Sequence, residues 1–192
     1  MMISRQEAYD LVTTWTKNKN LVKHMLCVEV AMGALAKHFG ENEEYWKIIG
    51  LLHDADYEMY PDKHPLYLID YLEEKFKDKK GYEEQGVIDA IKAHAWNYNG
   101  LTQEPKSKLE WSIYCVDELT GFIVAVTLVR PEKKLSLVTV ENILSKWNQK
   151  GFAAGVSRPQ IELCEEKLGI KLNDFIDITL KSMQSISSDL GL

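Results

Sequence analysis

Apolar positions recur at helical spacing along almost the whole chain. Ser4 and Glu7 form a capping box, and Ala8, Leu11, Val12 and Trp15 follow on one face. Lys17 to Asn20 reads as a polar turn. Asn20 is expected to cap a second helix, with Leu21, His24, Val28, Ala31, Met32 and Leu35 along one stripe and Gly40 at its end. A third helix is predicted from Asn42 to Asp54. Pro61 breaks the irregular stretch after it, and His64-Pro65 opens a fourth helix with Leu66, Leu68, Ile69 and Leu72 inside. Lys77 to Gly81 reads as a charged loop, Glu83 to Trp96 as a fifth helix and Asn97 to Pro105 as a loop. A long sixth helix runs from Lys108 to Leu128, and Arg130-Pro131 stops it.

Beyond it, Thr139 to Trp147 is a short helix and Gly151 to Gly155 a small-residue turn. Ser157 and Pro159 start a helix over Ile161 to Leu168, which Gly169 ends. Asn173 is expected to cap a last amphipathic helix through Phe175, Ile176, Ile178, Leu180 and Met183. No stretch of useful length alternates with the period of a strand. Val124 to Val129 is rich in β-branched residues but continues a helical pattern. The expected fold is all-α, one domain over 1–192. It has a core over 20–125 and a C-terminal helical extension over 132–192.

Composition changes this picture little, being that of an ordinary globular protein. The net charge of −6 argues against a general nucleic-acid binder. Cys27, Cys115 and Cys164 are far apart in apolar surroundings and form no CxxC pair, which points to reduced thiols. The N-terminal MMISRQEAYD lacks an apolar signal core, and the longest apolar run, Phe122 to Val129, is too short to span a bilayer. A cytoplasmic protein with no membrane partner is expected.

Candidate chemistry centres on Leu51-Leu52-His53-Asp54. An apolar stretch (Trp46, Ile48, Ile49, Leu51, Leu52) carries an imidazole and a carboxylate inward. Both are costly to bury without partners, and a divalent metal satisfies both. Of the five histidines, His24, His53 and His94 fall on or beside apolar stripes. His38 sits at a helix end, where an imidazolium favours the helix dipole, and reads as structural. His64 stands at a helix start. Asp117 lies in Ile113-Tyr114-Cys115-Val116-Asp117-Glu118-Leu119, inside a mostly apolar helix, where an inward carboxylate needs a cation.

The ordered set His24, His53-Asp54 and Asp117, each from a different helix, resembles the HD-domain metal-dependent phosphohydrolase superfamily. The resemblance spans residues from about 20 to 125. It implies an all-helical fold with these four residues as metal ligands. It further implies His53 and Asp54 at the catalytic centre, with Asp54 bridging to a second metal held by His64 and His94. Mixed nitrogen and oxygen ligation suits Mn, Fe, Co, Ni, Zn or Mg. The implied activity is hydrolysis of a small phosphate ester, a nucleotide or dinucleoside polyphosphate. The alternatives are di-iron oxygenation of a small organic substrate, for which a few members use the same ligand set, and a non-catalytic module that only senses a nucleotide. Val116-Asp117-Glu118-Leu119-Thr120-Gly121 and Phe152-Ala153-Ala154-Gly155-Val156 are similar to a set of small bacterial and archaeal HD proteins.

One departure is that Ala55-Asp56-Tyr57-Glu58 is acidic where many members carry a basic residue. Phosphate contacts are therefore sought at Lys92, Arg130, Lys150 and Arg158, and at the small-residue turn before the helix start at Ser157. Trp96 and Tyr98 are candidates to stack a base.

Overall fold

A computed structural model describes residues 3–78 and 81–192. Among them the regular structure is helical, with no strand, as the periodicity predicts. The helices are α1 (Arg5–Trp15), α2 (Lys19–Phe39), α3 (Glu43–Leu52), α4 (Leu66–Lys75), α5 (Tyr82–His94) and α6 (Lys108–Val129). The C-terminal ones are α7 (Val140–Trp147), α8 (Arg158–Leu163), α9 (Leu172–Gln184) and α10 (Ser187–Leu190). A short 3₁₀ turn, Leu135–Leu137, precedes α7, and a π-helical stretch, Cys164–Leu168, continues α8.

Most boundaries fall where the capping residues put them. Ser4 closes its box with Glu7, and Gly40 and Gly169 end their helices at positive φ. Others shift. Asn18, not Asn20, caps α2, because the Asn18 side chain accepts the Asn20 N–H. Asn173 does not cap α9, which starts one residue earlier at Leu172 and has no side-chain cap. Leu66 is exposed rather than inside, since α4 turns that position outward and buries Leu68, Ile69 and Leu72. Of the predicted loop from Lys77 to Gly81, residues 79 and 80 lie outside the described residues.

Helix α6 is the axis of the fold. It is apolar all round and packs against α2, α5, α7, α8 and α9. Its 22 residues are long and apolar enough to cross a membrane by length and composition, but most of that span is buried inside the protein. Helices α2 and α3 make the closest pair. Their backbones meet at Gly50, where a Cβ would stand 2.7 Å from the Val28 carbonyl oxygen. That approach brings the middle of α2 against the end of α3, where His53 and Asp54 follow.

Residues after about 132 share the apolar core with the rest through Leu135, Ile143, Ile161, Phe175, Ile176 and Met183. Their attachment to α6 is specific. Ser157 N–H donates to Glu118 Oε2 at 3.0 Å, and the Gln160 amide donates to the Tyr114 carbonyl at 2.7 Å. All three cysteines are free and buried, and burial pushes their thiols up.

Candidate metal centre

His24, His53, Asp54, His64, His94 and Asp117 converge from α2, the end of α3, the turn before α4, α5 and α6. Their ligand atoms fall into two groups. In the first, His24 Nε2 and His53 Nε2 lie 2.9 and 3.4 Å from Asp117 Oδ1. In the second, His64 Nε2 and His94 Nε2 lie 3.2 and 3.6 Å from Asp54 Oδ1. Asp54 links them, because its other oxygen, Oδ2, is 3.6 Å from His24 Nε2 and 3.5 Å from His53 Nε2.

Each imidazole is held by its Nδ1 so that Nε2 faces the cluster. His53 Nδ1–H donates to the Gly50 carbonyl at 2.7 Å, and His94 Nδ1–H to the Ile91 carbonyl at 2.5 Å. His64 Nδ1–H donates to Asp56 Oδ1 at 2.7 Å. His24 Nδ1 meets Thr120 Oγ1 at 3.3 Å, and that hydroxyl spends its own proton on the Asp117 carbonyl. Fixing Nδ1 on an acceptor leaves Nε2 as the donor atom for a metal.

The cluster is electrostatically incomplete as protein alone. Among the described residues His53 Nε2 is buried with no well-formed hydrogen bond, Asp117 Oδ1 standing 3.4 Å away. Burial pulls the His53 imidazole down, but the charges of Asp54 and Asp117 outweigh it and push it up to about 9. Burial also works against the charge on Asp54 and Asp117, yet His53 and the neighbouring imidazoles hold both carboxyls well below their ordinary range. Burial keeps the His94 imidazole below its ordinary value, and its Nε2 faces that of His64 at 3.1 Å. Inward imidazole nitrogens, ionised carboxylates and an orphaned buried nitrogen fit a pair of divalent cations.

A cleft of about 400 Å³ opens onto this cluster. Asp54, His64, His94 and Asp117 form part of its wall, with Tyr57, Trp96, Tyr98, Tyr114, Glu118 and Gln160. Tyr57 and Tyr98 stand beside the His64 ring, their centroids 5.2 and 6.0 Å from it. Trp96 packs edge-on against Trp111.

The cations expected to touch phosphate lie elsewhere. Lys92 precedes His94 by two residues, which turns it to another face of α5, where its nearest acid is Glu73 at 3.6 Å. Lys150 is exposed and borders a separate groove, together with Arg158. The Arg158 guanidinium donates to the Phe152, Ala153 and Val156 carbonyls and lies 4.5 Å from the Phe122 ring centre. It therefore fills the small-residue turn that was expected to receive phosphate. Arg130 bonds Asn142 and pairs with Glu132. Exposed His38 meets Phe39 edge-to-face and stays outside the cluster.

The acidic run after the doublet acquires a use that its sequence does not announce. Asp56 is fully buried and accepts both His64 Nδ1–H and the Leu68 N–H, the latter at 2.9 Å. Glu58 accepts the Lys17 and Asn18 amides before α2. Thr120, Glu118 and Gln160 are further residues of the site that helical periodicity alone does not single out. The stretch from Val116 to Gly121, already noted for its similarity to small HD proteins, is the signal that contains two of them.

A search of curated proteins and a search of solved structures each returned no match. A family model, HD domain, matches residues 21–121, more than half of the chain. The matched segment contains all six clustered residues. Domains of this family bind divalent metals, and most members are metal-dependent hydrolases. By that match and by its all-helical fold, the chain belongs to the HD domain family.

Proposed function

We propose that the protein is a metal-dependent phosphohydrolase that cleaves a small phosphate ester. His24, His53 and Asp117 would hold one divalent ion, and His64 and His94 a second, with Asp54 bridging them. The observation that carries this reading is the placing of the two Asp54 oxygens, one toward each group of imidazoles. A bound divalent pair supplies a Lewis acid for the phosphoryl oxygen and brings the pKa of a water toward neutrality.

The chain's own residues do the positioning. Gly50, Ile91, Asp56 and Thr120 fix the imidazoles, so little reorganisation accompanies the reaction. Asp54, set between the two groups, is the carboxylate available to accept a hydrogen bond from the attacking water and orient it. His53, fully buried, acts through Nε2. Tyr57 and Tyr98 offer aromatic faces beside His64, which supports a planar leaving group such as a nucleoside.

The test is phosphate release by protein reconstituted separately with Mn, Fe, Co, Ni, Zn or Mg. Nucleotides, dinucleoside polyphosphates and simple phosphate esters serve as substrates. The expected result is metal-dependent release that disappears in Asp54→Ala. No release with any metal, or oxygen uptake by iron-loaded protein without phosphate release, would contradict the reading.

A further inference from the structure

The wall of the cleft has a composition that hydrolysis alone does not require. Among the described residues lining it there is no Lys and no Arg. On the side made by α6 and α8 it presents Glu118 and Gln160. Glu118 uses Oε2 to accept the Ser157 N–H, and its other oxygen has no partner among the described residues. Gln160 donates its amide nitrogen to the Tyr114 carbonyl, which leaves its amide oxygen as an acceptor.

We propose that Glu118 and Gln160 are specificity residues that select a substrate with one phosphoryl group and a leaving group rich in hydroxyl or amine donors. This rests on the hydrolase reading above. Two bound divalent ions would carry four positive charges, of which Asp54 and Asp117 would offset two, so that one phosphoryl dianion would complete the balance. A second or third phosphoryl group would lie in a cleft with no Lys or Arg among its described lining residues and with the Glu118 carboxylate on its wall. Like charges brought together in this way reject the wrong ligand. Unpaired acceptors instead favour a ligand that brings donors, and they penalise one that leaves them bare. The C-terminal helices thereby share in recognition, since Gln160 comes from α8.

The experiment compares adenosine mono-, di- and triphosphate as substrates of the metal-loaded full chain at buffered free metal. Calorimetric binding of their non-hydrolysable phosphonate analogues is measured alongside. The expected kcat/KM falls at least tenfold from mono- to triphosphate, and analogue affinity falls in the same order. Gln160→Lys narrows the ratio about tenfold, through the KM of the triphosphate, and Gln160→Glu widens it. Circular dichroism establishes that both variants fold. Equal or better turnover of the triphosphate by the wild-type chain overturns the proposal, as does an unchanged ratio in folded Gln160→Lys. If simple esters release phosphate while these preferences are absent, the hydrolase reading stands and only the specificity fails. If nothing in the panel releases phosphate, both fail.

Discussion

The Nε2 atoms of His64 and His94 lie 3.1 Å apart, although the Nδ1 proton of each ring is already committed, one to Asp56 and the other to the Ile91 carbonyl. With both rings neutral, two lone pairs face one another in a buried place, with Asp54 Oδ1 within 3.6 Å of both. A shared cation removes the conflict. Asp56→Asn weakens the acceptor that fixes His64 and sets an amide where two donors converge. Metal at this group should bind ten- to a hundredfold more weakly, while the group around Asp117 is unaffected. The fold should lose about 1–3 kcal/mol as the Leu68 N–H loses a partner. Metal titration followed by denaturant unfolding reads both effects. Unchanged affinity would show that Asp56 does not orient the ring.

Metal affinity should depend on pH, with a definite sign. The folded His53 imidazole titrates at about 9, above its ordinary 6.5, in the metal-free chain. The stability from that proton is fully present below pH 6.5 and is lost as pH rises through about 9. Asp54 and Asp117, held below the ordinary 3.8, contribute the opposite way. Their share is present above that value and is lost only in strong acid. A metal displaces the His53 proton, so affinity should rise about tenfold per pH unit for each proton released, and level off above about pH 9. Titrations between neutrality and that pH check the slope, and a flat profile would contradict it.

Gly50→Ala should damage both fold and site. The new methyl would sit 2.7 Å from the Val28 carbonyl oxygen and 3.0 Å from the Glu29 Cα, and neither backbone can step aside alone. Forcing α2 and α3 apart should cost about 1–3 kcal/mol and separate His24 from His53. Thermal melts with and without metal should show a lower Tm and a smaller metal-induced rise. Wild-type values for both would mean the crossing is looser than the structure has it.

Arg158→Ala separates the phosphate role expected of this residue from the structural one observed. Three carbonyls lose their shared donor and Phe122 loses a stacked cation, so stability should fall by about 1.5–3 kcal/mol. Because Arg158 does not line the cleft, KM for substrate should stay within about twofold of wild type in the folded variant. A large KM rise with unchanged Tm would restore the phosphate-binding role.

The all-helical fold was legible because apolar periodicity, glycine stops and capping side chains agree with one another over most of the chain. The convergence of His24, His53, Asp54, His64, His94 and Asp117 was legible through the order of residue types and the resemblance that order carries. What escaped was direction. Nothing in the sequence around Lys92 says that two residues of helix rotate it away from His94. Asp56 reads as one more acid in a turn, and only the folded chain shows it buried beneath His64. Arg158 follows a turn of small residues that could equally receive an anion or the chain's own guanidinium. Asn18 and Asn20 are both competent caps, and local geometry decided between them.

The most direct test of the central claim is elemental analysis of the reconstituted, dialysed protein and its single variants. Two divalent ions per chain are expected in the wild type, one in His64→Ala or His94→Ala with the fold retained, and none in Asp54→Ala. Two ions retained in all three variants, or none in the wild type at any metal tried, would contradict it.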